Sequence, residues 1–152
     1  MLLRHRLTYR LVIDSELRDI DFTGAQIEIY RLLNSPIGWE KYGYTFVPVL
    51  DNEEVLIRIS TPFTIRNLGG DSQLSCAELG GHVIHLNAYR WLYGAPASKL
   101  PLDLYRQYMV SHEMGHIMGL KHVPIPEHGP APIMIQQTLG IGNCTPNCEL
   151  FL

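Results

Sequence analysis

Residues 101–122 read PLDLYRQYMVSHEMGHIMGLKH, and their reading decides the rest of the chain. Pro101 suits the first turn of a helix, where its missing N–H costs nothing, and Gly119 suits the end of one. The spacing therefore predicts a helix from about Pro101 to about Met118. On it His112 and His116 stand one turn apart, so both imidazoles project from the same face. That is the arrangement by which a helix gives two nitrogen ligands to one zinc ion. Glu113 is rotated about 100° from His112 and lies beside such an ion, where a carboxylate can take a proton from zinc-bound water. Gly119 can adopt a positive φ, so the chain can leave the helix axis and bring in His122 as a third ligand. A fourth position stays open, as in catalytic rather than structural zinc sites. One zinc ion per chain is expected.

The complete pattern, HExxHxxGxxH over residues 112–122, resembles the metzincin clan of zinc metallopeptidases. That resemblance implies a methionine turn after the third ligand, forming an apolar floor under the metal. Met134, in PAPIMI at residues 130–135, stands 12 residues beyond His122 and fits that place. A wider resemblance covers nearly the whole chain, most densely residues 87–147. The stretches NAYRWLYGAPASKLPLDLYRQYMVSHEMGH and APIMIQQTLGIGNCTPN resemble an actinobacterial family of secreted or envelope-anchored metzincin-like domains. TYRLVIDSEL and the Gly38-Trp39 region follow the same pattern. The resemblance implies an extracellular peptidase on a compact metzincin-like fold. This chain differs in two places. Ile125 stands near where that family has a cysteine. Gln136 stands where several metzincins place a tyrosine, two residues after the turn methionine, which leaves zinc itself to steady an oxyanion.

Outward from the motif, Tyr105 and Tyr108 lie on a similar helical face to His112 and are read as packing beneath the site. His82 and His85 fall in HVIHL, residues 82–86, a short strand candidate. Three residues apart in a strand, they point to opposite faces and cannot chelate as a pair. They are weak candidates for substrate contact, with this strand as the edge along which an extended peptide could add to the sheet. Cys144 and Cys148 have poor spacing for a zinc ribbon. A disulfide from Cys76 to one of them would pin the tail to the long loop before the strand.

The N-terminal half reads as a strand at 6–13, then a helix from Phe22 to about Leu33 with Asp21 as its cap. Residues 44–50 and 54–60 flank Asp51-Asn52-Glu53 and look like a hairpin, with Pro48 marking its first strand as an edge or a bulge. Residues 61–81 read as a long loop, and five prolines beyond His122 argue for an irregular tail. The order of elements gives an α+β class: a mixed, mostly antiparallel sheet packed on two main helices, as one domain over residues 1–152.

Composition sets the outer bounds. The chain has 152 residues, 12 Lys+Arg against 15 Asp+Glu, and a formal net charge of −3. That balance argues against a dedicated nucleic-acid binder. Its 46% hydrophobic and 18% charged content is that of a globular domain. No apolar run has the length of a membrane span. The first residues carry charge where a signal peptide has its apolar region. No segment before the first strand has the length of a pro-domain, so the chain is expected to act as it stands. The expected function is endopeptidase chemistry on peptide or protein substrates, with Glu113 as general base. The alternative is an inactive zinc-binding structural or protein-interaction module on the same fold. The presence of Glu113 argues against that alternative, because a structural site has no use for its carboxylate.

Overall fold

The computed structural model describes residues 5–152. Five strands and four helices follow in the order β1 (His5–Ile13), α1 (Ala25–Leu33), β2 (Tyr44–Pro48), β3 (Val55–Ser60), α2 (Pro62–Asn67), β4 (Cys76–Ala77), β5 (Val83–Asn87), α3 (Ala88–Tyr93) and α4 (Leu102–Ile117). The class is α+β with a mixed sheet. Its strand order is β2-β1-β3-β5-β4. No helix among the described residues is long and apolar enough to cross a membrane.

The sheet is mostly parallel, not mostly antiparallel as the element order suggested. β1 pairs in parallel with both β2 and β3, and β3 pairs in parallel with β5. Only the short β4 runs antiparallel, against β5. The expected hairpin of β2 and β3 does not form, because β1 lies between them. β2 pairs with the first half of β1, up to Tyr9, and β3 with the second half, from Tyr9 onward. The link between them carries the chain across β1 near Tyr9. Its acidic residues serve that crossing. Glu54 Oε1 accepts from Thr8 N and Thr8 Oγ1 at 3.1 and 3.2 Å, and Glu53 pairs with Arg10. Pro48 does lie on an edge strand, where its missing donor is harmless.

One face of the sheet carries the core. Tyr9, Leu11, Phe46, Val55, Ile57, Ile59, Ile84 and Leu86 are buried with Ile29 and Leu33 of α1 and Met109 and Met114 of α4. Alternation along β3 places Val55, Ile57 and Ile59 inward and leaves Leu56 and Arg58 half-buried on the opposite face. Helix α1 begins at Ala25, three residues later than expected. Gly24 sits at φ 85°, which breaks helical geometry, and Asp21 instead accepts from Thr23 N in the turn before it.

The segment 61–81 is not a bare loop. Thr61 Oγ1 accepts from Thr64 N at 3.0 Å and Pro62 opens α2, so a capping signal was present in the sequence. β4 follows, with Cys76 opposite His85 and Ala77 opposite Ile84. Helix α4 starts just after Pro101 and ends at Ile117, as its proline and glycine require. The tail holds no regular strand or α-helix beyond Ile117. It folds back so that Ile133 and Met134 join the main core, while Ala131, Ile135, Ile141 and Cys144 form a second small cluster.

Candidate metal centre

Helix α4 runs through the middle of the domain, and every residue from Gln107 to Gly115 is buried. Its C-terminus closes with Leu120 N donating to Gly115 O at 2.9 Å and Gly119 N to His116 O at 3.0 Å. Gly119 has φ 93°, the left-handed conformation this termination needs. The reversal returns the chain alongside the helix and brings His122 to the two helical histidines. Val123 N then donates to Met134 O at 3.1 Å, which fixes the returning strand of chain to the tail.

The three imidazoles meet through their Nε2 atoms. His116 Nε2 and His122 Nε2 are 3.1 Å apart, and His122 Nε2 and His112 Nε2 are 3.3 Å apart. The Nδ1 atoms face the other way. His112 Nδ1 lies 2.6 Å from Ile133 O, and His116 Nδ1 lies 2.7 Å from Leu120 O. A carbonyl can only accept, so each of these Nδ1 atoms carries the proton and leaves its Nε2 lone pair pointing at the common centre. A cation between them would satisfy all three nitrogens at once. His112, His116 and His122 could thus hold one metal ion. Burial pushes His112 down to about 3, opposed by the Ile133 carbonyl and assisted by the neighbouring His116 and His122. Burial, then His116, lowers His122 as well. His112 and His122 are thus held toward the neutral form, in which imidazole binds metal.

Glu113 lies beside this centre and is almost wholly buried. Its Oε1 is 4.0 Å from His112 Nε2, and its Oε2 has no hydrogen-bond partner among the described residues. Burial raises its carboxyl to about 8. A carboxyl with an unpartnered oxygen next to three converging ring nitrogens fits a site built around a cation, whose charge would draw the proton off.

Met134 is buried and packs on the helix between His112 and His116. A Cβ at Gly115 would come within 2.6 Å of Met134 Sδ, so the glycine of HEMGH makes room for this thioether. The sequence motif did not announce that role for Gly115. Two tyrosines tie the tail to α4. Tyr105 Oη lies 2.7 Å from Thr138 Oγ1, and Tyr108 Oη donates to Ile135 O at 2.9 Å. Gln136 reaches the cluster itself, with its amide nitrogen 3.0 Å from His122 Nε2. The sequence flagged this residue only as a missing tyrosine.

Other expected site residues are not brought here. His82 Nδ1 lies 3.2 Å from Glu54 O, and His85 Nδ1 lies 2.9 Å from Ser60 Oγ on the sheet face away from α4. His82 stands just before β5 rather than in it, and β5, which carries His85, is not an edge, since β4 pairs with it. β4 is the edge on that side, and it lies against α4. The expected disulfide is not formed: Cys76, Cys144 and Cys148 are all free. Cys148 belongs to the main core and Cys144 to the small tail cluster, while Cys76 lines a cleft beside Gly70 and His85.

No curated protein matches the chain. A family model does match, over residues 4–148, under the description protein of unknown function (DUF3152). With nearly its whole length matched, and with the histidine centre inside the match, the chain belongs to the DUF3152 family.

Proposed function

We propose that the protein is a zinc-dependent peptidase of metzincin-like type, with His112, His116 and His122 as ligands and Glu113 as general base. The observation that carries this reading is the pairing of three converging Nε2 atoms with a buried carboxyl oxygen that nothing else satisfies. A purely structural cage has no need of that carboxylate. The all-nitrogen donor set suits zinc better than calcium or magnesium, which prefer oxygen.

A zinc ion, when bound, supplies Lewis-acid polarisation of a peptide carbonyl and stabilises the negative charge that develops on its oxygen. The chain's residues do the rest. Glu113 takes a proton from water as the water oxygen bonds to the carbonyl carbon. It hands that proton to the amine as the carbon–nitrogen bond breaks. His112 and His116 stay oriented because Ile133 O and Leu120 O hold their Nδ1 protons. Met134 fills the space beneath them and excludes water from that side. The edge strand β4, lying against α4, is the place where an extended substrate could add to the sheet. This replaces the strand at 82–86 as the candidate.

The test is Glu113→Gln, which keeps size and leaves the three histidines alone. The zinc-loaded mutant is expected to hold metal like wild type by elemental analysis. On a mixed peptide library its hydrolysis should fall by about 10² to 10⁴, the usual worth of a positioned base. Loss of zinc from the mutant would make Glu113 a ligand and overturn the assignment. Equal rates in mutant and wild type would overturn it too. If zinc-loaded wild type cleaves nothing in the library, the binding-module reading replaces the peptidase.

A further inference from the structure

A fourth side chain reaches the point where the imidazoles meet. The Gln136 amide group lies 3.0 Å from His122 Nε2, as near as His116 Nε2 at 3.1 Å. Its approach is not that of a loose surface residue. Tyr108 Oη donates to the carbonyl of Ile135 at 2.9 Å and accepts from the amide of Gln137 at 3.0 Å, so one hydroxyl clamps the backbone immediately before and after Gln136. Leu139 N donates to the Gln136 carbonyl at 3.0 Å. Ile135 and Gln137 on either side are buried, whereas Gln136 is half-buried. The same Tyr108 hydroxyl lies 3.3 Å from His112 Nδ1. Tyr108 thus links the first histidine of the helix to the segment that presents Gln136.

A carboxamide has a nitrogen face that only donates and an oxygen face that carries lone pairs, and the two exchange by rotation about one terminal torsion. A cation at the centre takes the oxygen face. On the reading of this centre as a metal site, we infer that the Gln136 carboxamide oxygen is a fourth donor to the metal in the absence of substrate, with Tyr108 as its positioning residue. The clamp holds the backbone, so the side chain alone moves to admit a substrate. A neutral amide also binds a cation less tightly than a carboxylate does, so a substrate carbonyl can displace it.

Cobalt(II) gives a readout that does not depend on hydrolysis. Metal-free wild type, Gln136→Ala, Gln136→Glu and Tyr108→Phe would each be titrated with cobalt. The visible absorption band and the affinity, set against a chromogenic chelator, would be recorded for each. The expected result is a displaced, weaker band and roughly tenfold or greater loss of affinity for Gln136→Ala. Gln136→Glu should regain a four-donor band and bind more tightly than Gln136→Ala. Tyr108→Phe should fall between wild type and Gln136→Ala. If wild type binds cobalt and Gln136→Ala matches it in band and affinity, Gln136 is not a donor while the metal centre stands. If wild type binds no cobalt, the metal centre falls and this inference with it. Should Gln136→Ala not fold, an unchanged band in Gln136→Glu overturns the proposal by itself, because a carboxylate donor must alter the ligand field.

Discussion

At the residue scale, the sharpest constraint lies at Gly115, between two histidines whose roles the motif already announces. It has helical geometry and no conformational need for glycine. It is glycine because Met134 Sδ occupies the place of a side chain. Gly115→Ala is therefore expected to push Met134 aside and overpack the floor under His112 and His116. The stability loss should be about 1–3 kcal/mol, read from denaturant unfolding. Wild-type stability in Gly115→Ala would mean that Met134 is free to move and does not brace the centre. The cysteines make the opposite point at this scale. Their sequence pattern invited a bridge from Cys76 to Cys144 or Cys148, yet all three thiols are free, Cys76 on the edge strand β4 and the other two in apolar clusters of the tail and core.

At the scale of elements, the end of α4 couples folding to ligand geometry. Gly119 has open space around a would-be Cβ, so nothing but its positive φ demands glycine. Gly119→Ala is expected to cost about 1 kcal/mol of stability from the strained left-handed residue. It should weaken zinc binding more than it weakens the fold, because the same turn delivers His122 to the cluster. Zinc affinity and melting temperature measured on the same sample separate the two effects. Equal affinity in mutant and wild type would show that His122 is placed by the tail contacts of Val123 and Met134 instead. β4 is the second element that matters. It is only two residues long, but it is the sheet edge nearest to α4. Strands so short carry almost no periodicity, so sequence patterning could not reveal it.

At the scale of the whole molecule, the centre joins distant parts of the chain. The helix, its reversal and the tail supply His112, His122 and the Ile133 carbonyl respectively, and Trp39 Nε1 donates to Ser111 O from the N-terminal half at 3.1 Å. A metal that binds only when these parts are assembled must stabilise the assembly by mass action. Zinc at about 100 times its dissociation constant is expected to add about 2.7 kcal/mol. For a chain of this length that is a rise of roughly 5–10 °C in melting temperature. A chelator should reverse it. A melting temperature indifferent to zinc and chelator would rule out metal binding by the folded state.

How much of this could be read before folding depends on the range of the interactions involved. The helix at 102–117, its proline start and glycine stop, and the joint placement of His112, His116 and His122 follow from spacings shorter than about a dozen residues. Local geometry dictates these, so the sequence alone determined them. The α+β class followed in the same way from the order of local patterns. The sheet's direction did not, because strand pairing depends on which segments meet across the domain. Asp51-Asn52-Glu53 looks like a hairpin turn, and only the register of β1 against both β2 and β3 makes the link a crossing. The carbonyls that orient His112 and His116, the methionine seated on Gly115 and the amide of Gln136 likewise appear only after the tail has folded back on α4. Main-chain carbonyls carry no mark in a sequence, and a contact made across 20 residues of irregular chain has no period to betray it. Those parts of the centre were decided by tertiary packing.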